Sequence, residues 1–88
     1  MEFFVLSLLV RGMTLEKHFG EKVRVLRDSL DITQEDLAAM AKVHPTYLSG
    51  IETGVRNPTL KVVAKIATAL NTEPHELLKG WSKPEPTQ

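Results

Sequence analysis

The sequence predicts an all-α fold, a compact bundle of five helices within about 65 residues. Three observations predict it. Apolar residues recur at helical rather than alternating spacing, most of the runs open next to a residue able to cap a helix, and the loops between them are short. In the first run, Leu15, Phe19, Val23, Leu26 and Leu30 follow one another at steps of 4, 4, 3 and 4. That is one face of a 3.6-residue period, so a first helix is expected from about Thr14 to Leu30, capped by the Thr14 hydroxyl. Asp31 leads out of it.

The second helix begins after Thr33, with Asp36 three residues on as a short capping box, and runs to about Ala41. Lys42 then holds the turn position at which glycine is often needed to reach left-handed dihedrals, at a cost of about 1 kcal/mol for lysine. His44 caps the third helix and Pro45 takes its first position, where a missing N–H does no harm. Gly54 stops it. After the loop VRNPT, Pro58 or Thr59 opens a fourth helix. Its apolar face is expected to comprise Leu60, Val63, Ala64, Ala67 and Leu70, with Val62 and Ile66 alongside. Asn71 ends it in the left-handed conformation. A short fifth helix spans about Pro74 to Leu78 and closes at Gly80. The tail WSKPEPTQ has two prolines and no period, and reads as disordered.

Helices two and three form the most informative unit. Leu37, Ala38 and Ala41 face inward from one, Val43 plugs the turn, and Leu48 and Ile51 face inward from the other. This spacing sets two helices at a steep angle over one core, the helix-turn-helix arrangement. Pro45, Thr46, Tyr47, Ser49 and Gly50 are left to face a partner. A helix held proud of its support in this way fits the DNA major groove.

Composition bounds the alternatives. The chain has 88 residues and no cysteine, so neither disulfides nor a zinc-thiolate site can support so small a core. Eleven basic and 11 acidic residues leave no net charge, which counts against charge-driven coating of nucleic acid. The distribution is uneven, however. From Lys42 to Lys65 four basic residues stand against Glu52 alone, a local charge of +3. One basic face on a neutral body binds weakly off-target and relies on base contacts.

The run EFFVLSLLV at residues 2–10 is far shorter than the ~20 residues of a membrane span. Glu2 stands where a signal peptide would be basic, and no small-residue cleavage site follows. Met13 opens MTLEKHFGEKV, which reads like a natural protein start. The run is therefore either an upstream extension or a strand-like arm packing on a dimer partner. The expected organisation is an apolar arm over 1–13, a DNA-binding domain over 14–80 and a polar tail over 81–88.

Four segments carry a family resemblance: TQEDLA opening the second helix, YLSGIETG in the third, RNPTL leading into the fourth, and the ending ALNTEPHELL. Together they resemble the Cro/cI-type helix-turn-helix regulators, the XRE family, over roughly Phe19 to Gly80. Within it the chain looks like the small controller proteins of restriction-modification systems, compact dimers with a T-Y-[IL]-S helix followed by E-x-G-x-R-N. Short phage repressors and stand-alone regulators share much of this. The resemblance implies a lambda-repressor-like domain. Those controllers often carry arginine just before the Thr-Tyr pair. This chain has Pro45, so a base contact from that arginine does not carry over.

The resemblance places a phosphate-contacting glutamine at Gln34, at the amino end of the second helix, where the dipole also favours an anion. Thr46 suits a thymine methyl or a base edge, and Ser49 a base or a phosphate. Tyr47 is expected against sugar and phosphate unless it joins the core, and Gly50 allows close approach. Arg56 and Asn57 should flank the same groove, although asparagine before proline is also a common helix cap. Lys42 and Lys61 are phosphate candidates, or solvated lysines. The resemblance also pairs Arg27 of the first helix with Glu52 at the end of the third, a structural ion pair that fixes the helix angle.

His18, His44 and His75 are scattered, with no HExxH pattern, phosphate loop or nucleophile elbow. Neither an enzyme nor a metal protein is expected, and no cofactor. The reading is a cytoplasmic transcriptional regulator that binds a pseudo-palindromic operator in double-stranded DNA as a homodimer and controls a restriction-modification operon, its own gene included. RNA polymerase is a further candidate partner, and no membrane is. Leu77, Leu78 and Trp81 are the expected dimer surface, unless the leucines close the monomer core. The competing class is an antitoxin-like module that binds a protein as well as DNA.

Overall fold

A computed structural model of the protein describes residues 13–84. The apolar run at 2–10 and the last four residues lie outside the described residues, and with them the expected N-terminal arm. Among the described residues there are four α-helices: α1 (Leu15–Ser29), α2 (Gln34–Ala41), α3 (Pro45–Glu52) and α4 (Leu60–Ala69). A single 3-10 turn (Pro74–Leu77) replaces the expected fifth α-helix. Four residues that begin with a proline, with no side chain capping their start, are too few to close α-helical bonds. No helix of the described residues is long and apolar enough to cross a membrane.

The caps behave as local chemistry dictates. Thr14 accepts from the Lys17 N–H, and Thr33 and Asp36 form a reciprocal capping box. His44 accepts from the Thr46 N–H, with Pro45 in the first turn. At α4 the cap is Thr59, which accepts from the Val62 N–H. Asn57 therefore caps nothing.

All four helices close in the same way. The N–H groups of Ile32, Val43, Val55 and Thr72 reach back five residues to the carbonyls of Arg27, Ala38, Gly50 and Ala67. This is the Schellman closure, and it needs a left-handed residue just before the reaching N–H. Asp31, Lys42, Gly54 and Asn71 take that role, with φ of 58°, 58°, 83° and 55°.

The core is one cluster. Phe19 and Val23 come from α1; Leu37, Ala38 and Ala41 from α2; Leu48 and Ile51 from α3; and Val63, Ile66 and Ala67 from α4, with Leu70 and Leu77 closing it. α1 packs on α3, α2 packs on both α3 and α4, and the 3-10 turn lies against α4 and α1. Gly20 sits where α1 meets the end of α3. A Cβ there would lie 2.7 Å from the Glu52 carbonyl oxygen, and nearer still to that of Ile51. Four residues expected inward are not: Leu15, at the start of α1, is 37% exposed, Leu30 follows the last turn of α1 and is exposed, Ala64 faces out, and Leu60 is 86% exposed.

The carboxyl-terminal segment returns to the start of α1. His18 Nε2 lies 2.8 Å from the Lys79 carbonyl oxygen, and Trp81 Nε1 donates to the Met13 carbonyl at 3.0 Å. Trp81, expected in a disordered tail or a dimer face, thus has a partner in its own chain.

Candidate nucleic-acid interface

The site is α3 and what surrounds it. Leu48 and Ile51 are fully buried, so the helix is anchored along one side. Thr46 is exposed beside its amino end, whereas Tyr47, Ser49 and Gly50 are half-buried. Tyr47 also packs against the core, so its ring is partly a structural element.

Arg56 is exposed and folds back over the helix. A Cβ on Gly50 would stand 2.6 Å from the Arg56 Cγ, and the Arg56 N–H donates to the Gly50 carbonyl at 3.1 Å. Gly50 thus seats the arginine stem on α3. Val55, 79% exposed beside Arg56, is an apolar side chain that the sequence reading passed over. Asn57 lies elsewhere, in a cleft with Leu15, Pro58, Leu60 and Leu78. Lys42 and Lys61 line one groove between α2 and α4, together with Lys65 and the exposed Met40.

At the other end of α3, Glu52 is almost wholly buried, its side chain 2% exposed. Its carboxylate accepts from Arg27 Nε at 2.8 Å and from Arg27 Nη2 at 3.0 Å, a two-pronged pair. Arg27 Nη1 also donates to the Ile32 carbonyl at 2.9 Å. The bonded Glu52 raises the Arg27 pKa further above its ordinary value, so the guanidinium stays charged at any working pH. Gln34 Nε2 donates to the same carboxylate at 2.9 Å. That bond was not anticipated, because only the fold brings the first residue of α2 beside the last residue of α3. Gln34, Glu52, Lys17 and Arg24 border one cleft. Arg24 is committed within α1 to Glu21 and Asp28.

Leu77 is 1% exposed and belongs to the monomer core, so it is not available to a dimer partner. Leu78 remains partly exposed. Among the described residues no group of His, Asp or Glu is placed to hold a metal ion.

The helix-turn-helix family profile matches residues 23–77. This chain belongs to the XRE-type helix-turn-helix family. It is 46% identical over 61 residues to the control protein C.BamHI of Bacillus amyloliquefaciens, spanning 68% of this chain and 75% of that one. Among solved structures it resembles the restriction-modification controller protein C.AhdI of Aeromonas hydrophila. The TM-score is 0.69 at 40% identity, over 70% of this chain and 94% of the other. It also resembles the controller C.Esp1396I, whose tetramer has been solved in complex with its natural 35 base-pair operator. There the TM-score is 0.68 at 31% identity, covering 74% and 86% of the two chains.

Proposed function

We propose that this protein is a cytoplasmic, non-enzymatic regulator that binds a pseudo-palindromic operator as a homodimer and controls a restriction-modification operon, including its own gene. The observation that carries this is α3: its back is locked by Leu48 and Ile51 while Thr46 and Arg56 stand exposed. A rigid short helix with a polar outer side is what major-groove reading requires. The kinship with C.BamHI and with the operator-bound C.Esp1396I supports the same reading.

In this reading Thr46 meets a base edge or a thymine methyl, and Ser49 a base or a phosphate. Arg56 takes a phosphate fork or a base edge, while the Tyr47 hydroxyl meets the backbone and Gly50 permits close approach. Gln34, Lys42 and Lys61 contact phosphates. Asn57 lies in the cleft with Leu15, Pro58, Leu60 and Leu78 and is the weakest of the groove candidates. One recognition helix reads only a few base pairs, so two act on half-sites roughly 34 Å apart. RNA polymerase is the partner through which such a regulator would act on transcription.

Fluorescence anisotropy on DNA from upstream of its own gene, with scrambled competitor and at two salt concentrations, tests the reading. Cooperative nanomolar binding that survives competitor is expected. Binding erased by scrambled DNA would reject that operator.

A further inference from the structure

Gln34 is already engaged before any ligand arrives. The Glu52 carboxylate joins three elements: Arg27 near the end of α1, Gln34 at the start of α2, and its own position as the last residue of α3. An amide nitrogen carries two hydrogens. One is committed to Glu52, which leaves a second donor on a half-buried side chain whose rotamer is already set. Glu35 and Asp36 share the same first turn and offset its dipole, so a phosphate there must be held by directed hydrogen bonds rather than by charge. A freely rotating glutamine would lose its rotamer freedom on binding, whereas a pre-set one loses little.

We propose that Glu52 is a positioning residue for DNA binding, holding the Gln34 amide so that its second N–H meets a backbone phosphate. Because Glu52 ends α3, the phosphate contact and the base-reading side chains are tied by one hydrogen-bonded link, which sets the register of α3 in the groove. This rests on the operator reading above.

A double-mutant cycle of Gln34→Ala, Glu52→Gln and both together tests it. The probe is a duplex that the wild-type protein enriches from a randomised library, with ethylation interference locating the phosphates. Gln34→Ala is expected to weaken binding about tenfold and to abolish interference at one phosphate per half-site. Glu52→Gln should weaken binding more in the wild-type background than in a protein that already carries Gln34→Ala, where only the Arg27 pairing is left to lose. An equal loss in both backgrounds, or none in either, overturns the positioning role.

If Gln34→Ala binds like wild type while the duplex is still selected, the inference falls and the operator reading stands. If the wild-type protein enriches no duplex, both fall. Since Glu52→Gln also deprives Arg27 of its partner, a measurement on the intact free protein stands beside the cycle. The Gln34 side-chain amide should show an NMR order parameter near the rigid limit of about 0.85, and a value below about 0.6 overturns the proposal.

Discussion

A glycine in the middle of a helix costs about 1 kcal/mol relative to alanine, so replacing one usually stabilises a protein. Gly20 should behave in the opposite way. Its missing Cβ is where the Ile51 and Glu52 carbonyls of α3 press on α1, and these are backbone atoms that cannot swing aside. Gly20→Ala is expected to lower stability by about 1–3 kcal/mol in urea unfolding, the range for overpacking. A rise in stability would mean that α1 and α3 sit further apart than described. Arg27→Ala makes a second prediction here. It leaves the buried Glu52 charge without its main partner and should cost about 3–5 kcal/mol. Binding should fall together with the melting temperature, because the pair sets the angle of α3. Weakened binding with an unchanged melting curve would instead assign Arg27 a direct contact with DNA. The Arg27–Glu52 pair was legible through the family pattern. The close approach at Gly20 and the Gln34–Glu52 bond were not, since each depends on residues about 18 to 32 positions apart meeting in space.

Element boundaries were legible where their chemistry is local. A cap acts on an amide two or three residues away, so Thr14, Thr33 and His44 could be read directly. The left-handed stops at Lys42, Gly54 and Asn71 were readable for the same reason, whereas Asp31, in an equivalent position, was passed over. The inward face of α4 was drawn too wide: Leu60 lies in its first turn, free of the core, and Ala64 faces out, while Val63, Ile66 and Ala67 carry the packing. Lys42 offers a test at this scale because strain and charge coincide there. Lys42→Gly relieves a positive φ of 58° and should raise stability by up to about 1 kcal/mol in thermal unfolding. If Lys42 also neutralises a phosphate, the same change should reduce the slope of log affinity against log salt by about 0.9 per subunit. A steady slope with raised stability would leave Lys42 as a turn residue only.

At the scale of the whole molecule, the proposed homodimer requires a surface that can meet a second copy. Leu77 is enclosed within the core, and Trp81 is bound to the Met13 carbonyl, so two of the three residues first expected at the interface serve the monomer. What remains uncovered is the cleft where Leu15, Leu60 and Leu78 converge with Pro58 and Asn57. It draws on the start of α1, the start of α4 and the end of the 3-10 turn, all distinct from the outer side of α3. An isologous pairing through this cleft would leave both recognition helices free, as a two-fold operator demands. Leu60 is the informative position because it contributes almost nothing to the monomer core. Leu60→Asp should therefore leave the thermal transition at limiting dilution unchanged. It should also shift sedimentation from dimer to monomer and remove cooperativity from operator binding. A dimer that persists through Leu60→Asp would relocate the interface.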